Sequence, residues 1–97
     1  MLVVIATMQA KPGMEDAFRR TALELVERVN AEEEGCLQYT LCAGDDPLSF
    51  TFVERYKDDS AVQAHRKSEH FRTLGRRLGE AMDGPPSITR LQQISEV

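Results

Sequence analysis

Four polar side chains in this chain have the types and spacing to do acid–base chemistry: Glu54, His65, His70 and Tyr39. Glu54 lies on an apolar alternation with Phe50, Phe52 and Tyr56. An apolar setting raises a carboxyl's pKa toward neutrality and suits it to proton transfer. The competing reading is a buried structural Glu, bonded to a helix N-terminus or paired with an arginine. His65 and His70, the only histidines of the chain, follow Glu54 within 16 residues. His65, flanked by Ala61, Ala64 and Ser68, is positioned as a general base or a donor to a substrate oxygen, with a satisfied core histidine as the alternative. His70 reads either as a second such group or as a helix-start residue bonded to the sheet. Tyr39 is placed to aim its hydroxyl into the same cavity or simply to pack on a strand. Phe50, Phe52 and Phe71 supply an aromatic lining, which favours a planar substrate. Glu54, His65 and His70 also form a nominal two-histidine, one-carboxylate set. Nothing in their spacing closes a metal shell, so no metal is expected. No phosphate-binding glycine loop and no Gly-x-Ser-x-Gly elbow occurs, which removes nucleotide and serine-hydrolase chemistry.

Positioning these groups falls to an alternation of strands and helices. Leu2 to Ala10, rich in Val, Ile and Ala, reads as a buried strand stopped by Lys11-Pro12-Gly13. Met14, Phe18, Ala22, Leu25 and Val29 recur at helical spacing, with Arg19, Arg20, Glu24, Glu27 and Arg28 on the other side. Gly35 reads as the C-terminal stop of that helix. Cys36 to Cys42 is a second strand with Leu37, Tyr39 and Leu41 on one face. On such a strand Cys36 and Cys42 share a face about 20 Å apart and cannot bond to each other. Ser49 to Tyr56 is the third strand. Asp58-Asp59-Ser60 caps a helix starting near Ala61, and Ser68 caps a second helical segment whose inner stripe is Phe71, Leu74, Gly75, Leu78 and Met82. A break at Ser68 matters for chemistry, because on an unbroken helix His65 and His70 stand about 140° apart. Gly84-Pro85-Pro86 ends the segment, and Ile88 to Ile94 is the last strand. The order β-α-β-β-α-β predicts an α+β, ferredoxin-like single domain with both helices on one sheet face. The other sheet face, which mixes Val and Ala with Thr, Gln and Cys, predicts packing on a second copy.

Composition narrows the function classes. The chain has 97 residues, 41% hydrophobic and 29% charged, with a formal net charge of −4. That size suggests one domain over residues 1–97. Charges of both signs are interspersed, and only Arg72, Arg76 and Arg77 cluster, which argues against nucleic-acid binding. No apolar run reaches the roughly 20 residues of a membrane helix. Met1 to Ala6 lacks the basic start and length of a signal peptide. Two cysteines without Cys-x-x-Cys spacing fit a reduced compartment. A cytoplasmic protein is the expectation.

The residues so far singled out, taken with their neighbours, resemble the antibiotic biosynthesis monooxygenase (ABM) domain family. The resemblance runs nearly end to end. It rests on Lys11-Pro12-Gly13, Glu34-Gly35-Cys36 with Tyr39, Phe52-Val53-Glu54-Arg55-Tyr56-Lys57-Asp58, Ala61, His65, Ser68 with His70-Phe71, and the Gly84-Pro85 turn. It implies a dimeric α+β barrel, two ferredoxin-like protomers packed sheet to sheet, with a small pocket between sheet and helices in each. Several members oxidise phenolic or quinol substrates with O₂ and without metal or flavin, which implies no cofactor here. Glu54, His65, His70 and Tyr39 match the family's polar pocket positions. The chain has no tryptophan, so it lacks the Asn/Trp/His set of the haem-degrading branch and the pocket tryptophan of the antibiotic-tailoring enzymes. The remaining similarity is to the quinol-monooxygenase-like branch, and to the branch that isomerises a phosphorylated quorum-sensing sugar derivative. A catalytically idle dimeric binding domain is the third expectation.

Overall fold

Two interruptions of the hydrophobic pattern, at Pro12-Gly13 and at Ser68, set the layout of the chain. In the computed structural model, which describes residues 1–96, the elements are β1 (Leu2–Gln9), α1 (Glu15–Glu32), β2 (Cys36–Ala43), β3 (Ser49–Tyr56), α2 (Asp59–Lys67), α3 (Glu69–Ala81) and β4 (Ser87–Gln92). Gly13 turns the chain from β1 into α1 at φ +87°, a conformation that glycine adopts without a Cβ penalty. Ala10, expected to extend β1, forms only an isolated bridge to Met82. β4 ends at Gln92, two residues short of the expected Ile94.

The four strands form one antiparallel sheet in the order β2-β3-β1-β4. This is the ferredoxin-like arrangement, and the chain is α+β. Phe18, Ala22, Leu25 and Val29 of α1 and Leu74, Leu78 and Ala81 of α3 meet Ala6, Tyr39, Phe50 and Phe52 of the sheet in the main core. A smaller cluster of Val4, Tyr56, Ala61 and Val62 sits under α2. The strict in–out burial of β3, with Phe50, Phe52, Glu54 and Tyr56 inward, is the period-2 signature of a sheet covered on one face.

Two expectations are corrected by the path of the chain between α1 and β2. The pairing register slips between Cys36 and Gln38, because Leu37 is an extra residue opposite no partner. Such a bulge reverses the inward set of a strand. Leu37 is therefore exposed instead of sharing a face with Tyr39. Cys36 packs half-buried against the cluster under α2, while Cys42 is exposed. The two thiols point to opposite sides of the sheet, not to one. Gly35 is also not the helix stop. α1 ends at Glu32 with Glu33 as an extended C-cap. At Gly35, a Cβ would stand 2.6 Å from the Cβ of Ala61. The glycine is needed because α2 approaches closely there.

The face without helices carries three rows across the strands: Ser87–Thr7–Thr51–Cys42, Thr89–Ile5–Val53–Thr40 and Leu91–Val3–Arg55–Gln38. Thr7 and Thr51 join hydroxyls at 3.2 Å in the first row. Leu91 is half exposed.

Candidate active site

The break at Ser68 brings the two histidines together. Ser68 is at once the C-cap of α2 and the N-cap of α3, with extended backbone (φ −64°, ψ 147°). Its hydroxyl donates to the His65 carbonyl at 2.7 Å and accepts from the Phe71 amide at 3.2 Å. At the start of α2, the Asp58 carboxylate accepts from the Ala61 amide at 2.9 Å, satisfying an orphan donor of the first turn. With both helices fixed, His65 and His70 converge on one carboxylate, Glu33. The His65 Nδ1 lies 2.9 and 2.8 Å from the two Glu33 oxygens, and the His70 Nε2 lies 2.5 Å from Oε2. Burial works to raise the Glu33 pKa, but the bonds from His65 and His70 outweigh it and hold the group below its usual value. Glu33 is thus an acceptor-only carboxylate between two imidazoles.

On its other side His65 lines a cavity of about 100 Å³, whose walls include Val4, Ala6, Met8, Tyr39, Glu54, Tyr56 and Phe71. The imidazole sits among three aromatic rings, with centroids 4.5 Å from Phe71, 5.2 Å from Tyr39 and 5.6 Å from Tyr56. Glu54, opposite Tyr39 in the sheet register, is buried and accepts a 2.6 Å bond from the Tyr56 hydroxyl. Burial pushes the Glu54 carboxyl above its ordinary value, and the Tyr56 bond and the His65 ring oppose that only partly. Burial, with Glu54 nearby, also pushes the Tyr39 and Tyr56 phenols upward, so both remain protonated. Val62 and Arg66 from α2 and Ile88 and Arg90 from β4 complete the lining. Arg90 is paired with Asp59.

The cavity thus joins a histidine bonded to a carboxylate, a buried carboxyl and aromatic walls on one sheet. The family model for antibiotic biosynthesis monooxygenases matches residues 1–77. The chain belongs to the antibiotic biosynthesis monooxygenase family. A relative from Bacillus subtilis (strain 168), named "Putative monooxygenase YcnE", is 30% identical over 94 residues, spanning 95% of this chain and 97% of that protein. Among solved structures, PA3566 from Pseudomonas aeruginosa is 33% identical with a TM-score of 0.88, covering 97% of this chain and 94% of that one. Rv0793 from Mycobacterium tuberculosis superposes with a TM-score of 0.90 at 27% identity, covering 98% of this chain and 96% of that one.

Within this ABM domain the residues expected at the site divide. Glu54, His65, Tyr39 and Phe71 surround the cavity. His70 does not. It stands on the far side of Glu33 and lines an open groove with Arg28, Glu33, Lys57 and Glu69. Phe52 borders a neighbouring cavity of about 230 Å³ that shares Met8, Tyr39 and Phe71 with the first. Phe50, expected in the lining, is a core residue stacked on Phe18 at 4.8 Å. Glu33 and Tyr56 were not among the expected site residues. A signal for Glu33 exists in the spacing. The apolar stripe Phe18, Ala22, Leu25, Val29 continues by four residues onto Glu33, so a carboxylate falls where the inward stripe would go. The signal for Tyr56 is its parity with Glu54 on β3. The direct contacts of 2.5–2.9 Å between the histidine nitrogens and Glu33 commit those nitrogens to hydrogen bonds. Among the described residues no group of three or more His, Cys, Asp or Glu is arranged to hold a metal ion.

Proposed function

We propose that this protein is a cofactor-independent monooxygenase that oxidises a small quinol or polyphenol with O₂. The observation that carries the reading is His65. One ring nitrogen is bonded to the carboxylate of Glu33, and the ring lines a cavity walled by Tyr39, Tyr56 and Phe71. A phenol seated there gives its proton to His65 Nε2. The resulting phenolate passes one electron to O₂, and the radical pair combines to form a C–O bond. The peroxide anion takes its proton back from His65. Glu54 then accepts the ring C–H proton as the O–O bond breaks, and that proton leaves with the departing hydroxide as water. One oxygen atom stays on the ring and the other becomes water, so a hydroquinone and O₂ yield a hydroxyquinone and H₂O. The protein supplies a base, polar partners for the developing charge and a cavity that limits water. The volume of about 100 Å³ is small beside the roughly 300–1,000 Å³ of drug-sized pockets, and favours a single ring.

Oxygen uptake with a panel of quinols tests the reading. The wild-type rate is expected to exceed autoxidation, and His65→Ala and Glu54→Gln to lower it by about 10²–10⁴-fold. Rates that match autoxidation for all three proteins would sink it.

Arg66 and Arg90 at the cavity favour a second reading, an isomerase in which Glu54 and His65 shuttle a proton on a small phosphorylated sugar derivative. Turnover of a phosphorylated ketose without oxygen consumption, lost in Arg66→Ala, would select it over the first. In either case the active form proposed is a homodimer joined through the open sheet face, where Val3, Ile5, Val53 and Leu91 supply apolar area.

A further inference from the structure

We propose that Glu33 is the positioning residue of this site, and that His70 serves Glu33 and not the cavity. The inference deepens the assignment of His65 as the cavity's base, yet its central claim concerns hydrogen-bond geometry and stands without turnover. Three side chains that are each nine-tenths or more buried meet here: His65 at 5% exposure, His70 at 6% and Glu33 at 10%. A carboxylate can only accept. The two ring nitrogens that face Glu33, Nδ1 of His65 and Nε2 of His70, must therefore both carry hydrogen. For His65 this selects the Nδ1–H tautomer and leaves the Nε2 lone pair as the acceptor of the ring that lines the cavity. An isolated neutral imidazole side chain prefers the opposite form, with hydrogen on Nε2, which would present a donor to a phenol and not a base. Glu33 reverses that preference.

His70 has a different task. It reaches Glu33 Oε2 from the groove side, and it is absent from the cavity walls. With His65 on both oxygens and His70 on one, the carboxylate is held from two directions, as the orienting carboxylate of a catalytic triad is held from its own side chain partners. The placement of Glu33 just past the end of α1, where Glu33 N–H still bonds to the Val29 carbonyl at 3.0 Å, makes the helix end the anchor of the arrangement.

Long-range ¹H–¹⁵N correlation spectra of the imidazole rings test this directly. In the wild-type protein at a pH where both rings are neutral, His65 is expected to show the Nδ1–H pattern and His70 the Nε2–H pattern. A wild-type His65 in the Nε2–H form overturns the proposal without recourse to any variant. In Glu33→Ala the His65 signal is expected to shift to a majority of Nε2–H; an unchanged tautomer there would refute the positioning role. In His70→Gln, whose amide still donates to Glu33, His65 is expected to keep the wild-type pattern. If quinol oxidation is observed, His70→Gln should retain activity to within about tenfold, and Glu33→Ala should lower kcat with little change in KM. A loss in His70→Gln as large as that in His65→Ala would make His70 a catalytic residue and refute its assignment to Glu33. Absence of oxidation in every protein would remove the monooxygenase reading and leave the tautomer result intact.

Discussion

Glu54 and Tyr56 stand two residues apart on the inward face of β3, and the tyrosine hydroxyl donates to the carboxylate at 2.6 Å. The period of a strand places such a pair side by side, so the bond depends on parity alone and not on any distant part of the chain. Both side chains are buried, Tyr56 completely. Tyr56→Phe removes the donor and leaves the cavity shape nearly unchanged. It is expected to destabilise the protein by about 1–3 kcal/mol, the range for a buried acceptor left without its partner. It should also move Glu54 further toward its protonated form, since the bond opposes the effect of burial. Chemical denaturation and an NMR titration of the Glu54 carboxyl carbon check the two outcomes.

Glu54→Gln is expected to stabilise the fold at neutral pH while weakening activity. The Glu54 pKa is raised in the folded protein, chiefly by burial. A raised folded value contributes stability below the unfolded pKa of about 4.3, and that stability is lost as pH rises through the folded value. Once pH has risen through that value, the wild type carries a buried charge that the amide lacks. Thermal unfolding should show a higher Tm for Glu54→Gln at pH 7, with the difference narrowing toward pH 4. A variant less stable than wild type at pH 7 would contradict the burial argument.

The Glu33 shift has the opposite sign. Its folded pKa is lowered by the two histidine bonds acting against burial, so the carboxylate contributes stability above its unfolded pKa of about 4.3. That contribution is lost as pH falls through the folded value. Glu33→Gln should therefore be less stable than wild type at pH 6–7, and the gap should narrow as pH falls below the unfolded value of about 4.3. Denaturant midpoints measured across that range decide it.

Gly35→Ala tests the close approach between the α1–β2 connection and α2. The new Cβ would sit 2.6 Å from the Ala61 Cβ, so one of the two segments must move. Overpacking of this kind typically costs about 1–3 kcal/mol. Because α2 carries His65, the displacement should also disturb the Glu33 bonds. The expected result is a lower denaturation midpoint together with altered His65 ring resonances. A midpoint equal to wild type would show that the segment yields freely.

The proposed dimer is checked at the centre of the open sheet face. Val53 lies in the row Thr89–Ile5–Val53–Thr40. A stable interface there should bury more than ~1,000 Å² in total, and a charge at its centre would be left unpaired. Light scattering is expected to give a dimer for wild type and a monomer for Val53→Asp. A wild-type monomer at micromolar concentration would remove the proposal.

Much of this architecture was legible from local pattern. The alternation of Phe50, Phe52, Glu54 and Tyr56 defined the inward face of β3, and the stripe from Met14 to Val29 defined the buried side of α1. Asp58 and Ser68 marked both helix starts, since short polar side chains compete for backbone donors at those positions. These features involve residues a few positions apart, where the repeat of a strand or a helix fixes the geometry.

What sequence reasoning missed lies between distant segments. The bulge at Leu37 reverses the face of Cys36, and its cause is the register against β3, not anything within β2. Phe50 was assigned to the pocket by parity, which is correct for the face but silent about position along the strand; its partner Phe18 comes from α1. Glu33 stood in a run of three glutamates, and the stripe that continues onto it marks it as inward without naming its partners. It bonds to residues 32 and 37 positions away, and only the packing of α1 beside the α2–α3 junction brings them together. The types of side chain needed for proton transfer were set by the sequence alone. Which carboxylate touches which histidine was decided by tertiary structure, because hydrogen bonds between distant segments form only where packing has already fixed the backbones that carry them.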